Sequence, residues 1–296
     1  MGNGERMDSS IGTAGNGAPR LKAPTRTRLN ENFPVASRLI PAPLRDHVHA
    51  FYLCVRAADD VADDGTRPPA EKTALLAAMD ETLQGRRGAD EITRYAVSHR
   101  ESALKTGVTV EHARHLLQAF TMDVTKLRYR NWSELINYCL YSAAPVGRYL
   151  LDLHGEGPSA RPYTDALCIA LQILNHLQDC KEDYLTLDRV YLPLDMLSAA
   201  GSGVETLAAE RSSPELRTAL NRVLDRTDEL IVKAGYGPPL IRHRGLRLET
   251  AVITAIARRL SAKLRHQDPI AGRVALTTGE NLLCAVRGAW HGLTGH

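Results

Sequence analysis

Long apolar runs are missing from this sequence of 296 residues. No stretch approaches the roughly 18 consecutive apolar residues that a membrane-spanning helix needs. The opening segment MGNGERMDSSIGTAGNGAPR also lacks the apolar centre of a signal peptide. We therefore expect a cytoplasmic protein without membrane-spanning helices.

Strongly basic segments and paired cysteines are missing as well. The formal net charge is only +3 and no basic run occurs, which argues against a nucleic-acid partner. The five cysteines show no CxxC spacing, so they are expected to be reduced core residues. They are Cys54, Cys139, Cys168, Cys180 and Cys284.

What the chain does contain is helical patterning from Glu31 onward. Helix-forming residues dominate, and apolar residues recur at spacings of three and four in segments of about 15 to 30 residues. Residues 1–30 are rich in glycine and serine with few apolar anchors, so they are expected to be a disordered tail. The pattern predicts one all-α domain of roughly eight to ten helices over residues 31–285, followed by a C-terminal tail over residues 286–296.

Stretches rich in glycine and proline punctuate this pattern. Proline cannot continue a helix interior and glycine favours helix ends, so these stretches predict breaks between helices. They lie at residues 40–43, 64–69, 84–90, 154–162, 192–195, 211–214 and 235–239.

An acidic cluster ends the stretch FYLCVRAADDVADD, residues 51–64, with four aspartates in six positions. Asp59 and Asp63 are four residues apart, so on a helix their carboxylates point to the same side. Tyr52 and Arg56 precede them at similar spacing and share that face. Arg56 could serve a ligand there, or it could form an ion pair within the helix.

A second cluster lies in ALQILNHLQDCKEDYLTLDRVYLP, residues 170–193. Four polar residues recur there at i, i+3, i+7 and i+11, namely Gln172, Asn175, Asp179 and Asp183. The rest of the segment is apolar, so this polar stripe must find partners inside the protein. Asn175 could bind a metal through its amide oxygen or cap a buried carbonyl. His176 lies about 100° round the helix from the stripe and is expected to pack beside the site.

Two such helices facing each other would bring four carboxylates within a few ångströms. Each like-charged pair at about 4 Å costs on the order of 4 kcal/mol at an effective dielectric of about 20. Mg²⁺ would relieve this repulsion, because it prefers carboxylate oxygens, keeps several waters and shares its shell with substrate phosphate. The pattern therefore predicts Mg²⁺ and a diphosphate substrate whose departure the metal assists.

A different interpretation is that both clusters are solvated helix ends of a non-catalytic helical scaffold. It predicts exposed carboxylates on both helices and no dependence on Mg²⁺. A single DxxxD would favour it, whereas two of them, one embedded in an apolar helix, favour the metal site.

The chain resembles the squalene/phytoene synthase family from residue 31 to about residue 285. The resemblance is carried by YLCVRAADDVADD, LQILNHLQDCKEDY, DRVYLP, YCLYSAAPVG, ASRLIP and DPIAGRV. It implies a single-domain class I isoprenoid synthase fold, a helical bundle around a central cavity. It also implies an isoprenoid diphosphate substrate.

The resemblance implies a role for each matching residue. About two or three Mg²⁺ ions would bind Asp59, Asp63, Asp179 and Asp183. The substrate diphosphate would contact Ser37, Arg38, Arg56, Gln172, Arg189 and Arg273. Catalytic roles would fall to Tyr52, Tyr138 and Asn175. The two tyrosine rings could stabilise a carbocation by about 0.5–2 kcal/mol each, or be core tyrosines with a satisfied hydroxyl.

Within the family, NHLQDCKEDYLTLDRVYLP resembles the hopanoid-pathway, hydroxysqualene synthase subgroup. That resemblance implies conversion of presqualene diphosphate to hydroxysqualene, with water capturing a carbocation. Ordinary squalene and phytoene synthases carry arginine just before the second motif's first aspartate, where this chain has Gln178. The absence of this arginine's positive charge fits an enzyme that receives its substrate from a presqualene diphosphate synthase. NADPH is then not expected. The alternative is a complete head-to-head synthase that makes squalene with NADPH or phytoene without it.

The closing segment NLLCAVRGAWHGL, residues 281–293, is mildly amphipathic. It could be a helix that docks on the core. It could also contact the inner face of the membrane peripherally, which would suit a product soluble only in lipid.

Overall fold

The fold is helical throughout the residues that the computed structural model describes, 39–91 and 93–294. In these residues the only β-type pairing is an isolated bridge between Arg128 and Val190. The helices are α1 (Ala42–Asp63), α2 (Pro69–Leu83), α3 (Arg94–Thr106), α4 (Glu111–Thr125), α5 (Trp132–Ser142), α6 (Ala144–Leu153), α7 (Arg161–Leu187), α8 (Leu194–Ala199), α9 (Pro214–Ala234), α10 (Arg244–His266) and α11 (Thr278–Thr294). The predicted disordered tail, residues 1–30, lies outside the described part.

Each predicted break coincides with a helix end or a connection between helices. Prolines stand in the first turn of α1, α2, α6, α7 and α9, where a missing backbone N–H costs nothing. The described residues contain eleven α-helices, one more than predicted. The predicted breaks do not include the connections that follow α3, α4 and α10. They also miss Ala143, whose φ of −132° separates α5 from α6 just before Pro145.

The last helix, α11, continues through the predicted start of the C-terminal tail at residue 286. Its small side chains at Cys284, Gly288 and Gly292 allow it to lie close against α10. A Cβ at Gly288 would overlap the backbone of Val252. This close packing makes residues 286–294 part of the helical fold rather than a tail.

Two large apolar clusters form most of the core, and a small third cluster contains Leu151, Ala160, Ile241 and Leu246. One large cluster contains buried residues of α5, α7, α9 and α10, and the other contains buried residues of α1 to α4 and α6. Because α7 is buried along most of its length, it forms the central wall of the molecule. Among the described helices, none is long and apolar enough to cross a bilayer.

Candidate active site

A cavity of about 360 Å³ lies between the two large apolar clusters. Residues of α1, α4, α5, α6, α7 and α10 line it, together with the segments that follow α7 and α10. Along both α1 and α7 the lining changes from apolar residues in the N-terminal part to carboxylates near the C-terminal end. The cavity therefore has an apolar portion and an acidic portion.

The first acidic pair lies on the last turns of α1. Arg56 Nη1 is 2.5 Å from Asp59 Oδ2, and Arg56 Nη2 is 3.1 Å from Asp60 Oδ1. Both ion pairs lie within α1, and the first of them holds Arg56 beside Asp59, which lines the cavity. Burial and the neighbouring Asp63 raise the pKa of Asp59 to about 7, although Arg56 acts against the rise.

The second acidic pair lies on α7. Arg273 belongs to the segment that follows α10, and its Nε is 2.9 Å from Asp179 Oδ1. Burial and repulsion from Asp179 and Asp63 raise the pKa of Asp183 to about 8. Because Asp63 belongs to α1, this repulsion acts between the two helices, as expected if their acidic faces meet.

Arg189 joins the two acidic segments directly after α7. Its Nη1 is 2.5 Å from Asp63 Oδ1, its Nη2 donates to the Ala62 carbonyl and its Nε donates to the Asp123 carbonyl. The left-handed φ of 52° at Asp188 ends α7 and turns the chain so that Arg189 points back into the molecule. Its backbone N–H donates to the Asp183 carbonyl of α7. Because its side chain is only 8% exposed, this arginine is a buried link from the end of α7 to α1 and α4.

Asp123 of α4 belongs to the site although the sequence analysis did not select it. Its carboxylate accepts hydrogen bonds from Tyr138 Oη at 2.7 Å and Tyr191 Oη at 2.9 Å. Burial raises its pKa to about 6, while Arg189 acts in the opposite direction. Its position on the apolar stripe with Leu116 and Phe120 was the available signal, because a lone aspartate there must be buried.

Aromatic rings form the cavity wall beside Asp123. The His176 ring stacks on Tyr191 with centroids 3.5 Å apart and an interplanar angle of 14°. Tyr138 lies 5.5 Å from Tyr191 and 6.0 Å from His176. Burial, with a further contribution from Arg189, lowers the pKa of His176 to about 3. The sequence predicted that His176 packs beside the site, whereas the structure places it in the wall of the cavity itself.

Gln178 lies outside the cavity lining and is 3% exposed. Its Nε2 donates a hydrogen bond of 2.5 Å to the Val274 carbonyl. This bond fixes the segment that carries Arg273 toward Asp179. The neutral Gln178 amide thus has a structural role beside the acidic portion of the cavity.

Of the predicted site residues, eleven line this one cavity. They are Tyr52, Arg56, Asp59, Asp63, Tyr138, Gln172, Asn175, Asp179, Asp183, Arg189 and Arg273. Ser37 and Arg38 lie outside the described residues. That these eleven residues line one cavity does not test the role predicted for each of them, and those roles stay predictions.

The donor chemistry of the acidic end fits a divalent cation. Two aspartate pairs offer carboxylate oxygens, and the raised pKa values of Asp59 and Asp183 reflect burial and repulsion that the arginines do not offset. Within residues 39–91 and 93–294, no three His, Cys, Asp or Glu side chains already form a metal-binding group. Water and substrate diphosphate would have to complete the shell, as they commonly do for Mg²⁺.

Comparisons with known proteins agree on one family. The family model for squalene/phytoene synthase matches residues 27–280. A hydroxysqualene synthase of Rhodopseudomonas palustris is 47% identical over 254 residues, covering 85% of each chain. Another, of Sinorhizobium fredii, is 42% identical over 274 residues, covering 93% of this chain and 91% of that protein. A crystal structure of a squalene synthase from Alicyclobacillus acidocaldarius gives a TM-score of 0.70 at 27% identity, covering 81% of this chain and 90% of that chain.

Proposed function

This chain belongs to the squalene/phytoene synthase family and is an isoprenoid synthase, and we propose that it converts presqualene diphosphate to hydroxysqualene. The observation that carries this proposal is one cavity with an apolar portion and an acidic portion lined by both aspartate pairs. Such a cavity suits a substrate with a hydrocarbon body and a diphosphate group. The activity named for the two bacterial relatives supports the choice of reaction.

Diphosphate binding would fall to the acidic portion of the cavity. Asp59, Asp63, Asp179 and Asp183 would hold about two or three Mg²⁺ ions. When bound, Mg²⁺ would neutralise charge on the departing diphosphate as the carbon–oxygen bond breaks. Arg56, Arg189 and Arg273 would donate hydrogen bonds to diphosphate oxygens, as guanidinium groups do well. Gln172, Ser37 and Arg38 complete the proposed diphosphate contacts.

The carbocation left behind would rearrange within the apolar portion of the cavity. Tyr52 and Tyr138 would stabilise it through their rings. Asn175 is the third residue of the proposed catalytic set. Apolar walls such as Leu167 and Leu171 exclude stray water, so that capture by one held water ends the reaction. Capture by water needs no hydride, and therefore NADPH is not part of the proposal.

Product analysis with two substrates tests this function. Purified protein with Mg²⁺ is expected to turn presqualene diphosphate into an alcohol and to leave farnesyl diphosphate unchanged. Addition of NADPH should not alter the product, because water rather than hydride quenches the cation. Chelation with EDTA should lower turnover by at least roughly 100-fold, since the metal supplies several kcal/mol of charge stabilisation.

Other products would point to a different reaction. Squalene or phytoene formed from farnesyl or geranylgeranyl diphosphate by the protein alone would indicate a complete head-to-head synthase. Full turnover in EDTA would refute the metal role. No turnover of any of these substrates would favour the interpretation of the chain as a non-catalytic helical scaffold. The proposed reaction also requires a presqualene diphosphate synthase in the same cell to hand over the substrate.

We further propose that α11 rests on the inner face of the cytoplasmic membrane. Its outer face exposes Leu282, Val286, Trp290 and Leu293, spaced by three or four residues. Together α10 and α11 carry seven arginines and lysines. Three of them form ion pairs with carboxylates, and the other four, Arg244, Arg247, Arg258 and Arg287, leave a positive charge that favours anionic lipid. A water-insoluble product would then be released next to lipid.

Vesicle binding tests this contact. Val286→Glu is expected to lower binding to anionic phospholipid vesicles by roughly tenfold or more, because the charge opposes burial of an apolar side chain. The matched control is Val232→Glu on α9, since both valines are more than half exposed, at 62% and 57%. Equal binding of both variants, measured by vesicle co-sedimentation, would contradict the proposed contact.

A further inference from the structure

The His176 side chain lies at the acidic portion of the cavity, and its Nε2 has no hydrogen-bond partner in the part of the chain that the structure describes. The residue is 9% exposed, and Nε2 is buried with no hydrogen bond to the described residues. A buried polar atom without a partner is costly, so such an atom in a cavity wall indicates a group that is supplied on binding. Water is the smallest group that could fill this need.

We propose that the imidazole of His176 holds the water that captures the carbocation, and that it accepts the proton this water loses. The assignment rests on the proposed function and adds a residue that decides between alcohol and hydrocarbon products. It makes His176 a catalytic residue, since its ring would contact the reacting water.

The position of His176 along α7 supports this role. It lies one turn before Asp179, at the end of the cavity where the carbon–oxygen bond to diphosphate would break. The cation first forms at that carbon and its rearrangement moves the charge only to neighbouring carbons, so the capturing water must be held near this end of the cavity. Thr164 and Thr250, on the apolar portion, donate their hydroxyls to helix carbonyls at 2.7 Å and 2.8 Å instead.

The His176 ring is also held in a fixed orientation. It stacks on Tyr191 at 3.5 Å, and the Tyr191 hydroxyl in turn donates to Asp123 at 2.9 Å. Burial lowers the His176 pKa to about 3, which keeps the ring neutral and able to accept a hydrogen bond. A neutral, immobile acceptor is what positioning of a single water requires.

The proposed step balances in atoms and electrons. The carbon–oxygen bond of the substrate breaks, and both electrons leave with diphosphate. A carbon–carbon bond of the substrate's three-membered ring then shifts, and its electron pair moves to the cationic carbon, so that the charge passes to a neighbouring carbon. A lone pair of water forms the new carbon–oxygen bond at that carbon. One O–H bond breaks, its electron pair stays on oxygen and the proton passes to an imidazole nitrogen of His176. A protonated alcohol is a much stronger acid than an imidazolium, so this transfer is downhill.

Without the held water, the cation would lose a proton from carbon, and the electrons of that C–H bond would form a double bond. His176→Phe keeps an aromatic ring on Tyr191 but removes both nitrogens. We expect the ratio of alcohol to hydrocarbon made from presqualene diphosphate to fall by at least roughly tenfold. The readout is this ratio at equal substrate consumption, which a general loss of stability would not change.

His99→Phe is the matched control. His99 is also buried, and both of its ring nitrogens make no hydrogen bond to the described residues, but it lies outside the cavity lining. Its substitution is expected to leave the product ratio within about twofold of the original. If His176→Phe does not fold, His176→Leu provides the same test.

Several outcomes would overturn the assignment. An unchanged ratio in His176→Phe would refute the role of His176 while leaving the proposed function intact. A fall in the ratio in Glu249→Gln but not in His176→Phe would place the water at the opposite wall, on α10. Failure of the unmodified protein to make any alcohol would instead refute the proposed function, and this inference with it.

Discussion

Replacing Asp183 with asparagine is expected to lower turnover of presqualene diphosphate by roughly 1,000-fold, which corresponds to about 4 kcal/mol of transition-state stabilisation. Burial raises the pKa of the Asp183 carboxylate, and the negative charges of Asp179 and Asp63 raise it further. An amide would remove one anionic metal ligand from this end of the cavity. Steady-state kinetics at saturating Mg²⁺ would measure the loss.

The control is Asp188→Asn, five residues further along the chain. Asp188 is exposed and forms an ion pair with Arg128 at 2.5 Å outside the cavity. Asparagine tolerates its left-handed backbone, so turnover should change by less than about twofold. The melting temperature of Asp183→Asn without metal should not fall, because the substitution removes repulsion. More than a tenth of the original turnover in that variant would contradict a metal-binding role.

The second large effect concerns stability. Arg189→Met is expected to lower the free energy of unfolding by about 3 kcal/mol, because it leaves buried groups without their partner. The Ala62 and Asp123 carbonyls would lose their donors, and Asp63 would lose its ion pair. Urea unfolding without Mg²⁺ would measure the change separately from catalysis.

Arg87→Met supplies the comparison for Arg189. Arg87 forms an exposed ion pair with Asp90 at 2.9 Å, and such pairs contribute about 0–1 kcal/mol. Arg189→Lys should recover only part of the lost stability, since an ammonium group cannot reproduce three divergent guanidinium bonds. Equal destabilisation by Arg87→Met and Arg189→Met would show that Arg189 is not a structural link between the acidic segments.

Much of the fold and of the site follows from local rules in the sequence. The predicted all-α class I isoprenoid synthase fold is confirmed by the helices and by the matching structures. The shared faces of Asp59 with Asp63, and of Asp179 with Asp183, follow from the period of an α-helix. The break at Ala143 and the full length of α11 were not predicted, because both depend on how helices pack.

Sequence patterns did not predict the place of Asp123 or His176 in the cavity wall, and the physical reason is the same for both. Asp123 belongs to no motif, and His176 lies off the polar stripe of the second acidic cluster. Each became part of the site through contacts with residues distant in sequence. A lone aspartate or histidine on an apolar face indicates burial, but its partners cannot be read from spacing. Gln178 shows the converse, since its bond to Val274 spans 96 positions and gives it a structural contact that no local pattern indicates.

By itself the sequence determined that this protein is helical and that two helices each carry acidic side chains along one face. Helical period and apolar spacing act between near neighbours in the chain, so they can be read there directly. Only the tertiary structure decided that α1 and α7 face one cavity, that Arg189 joins their acidic ends and that His176 lies in the wall. Those contacts connect residues far apart in the chain, and their energies depend on burial that arises only once the helices have packed.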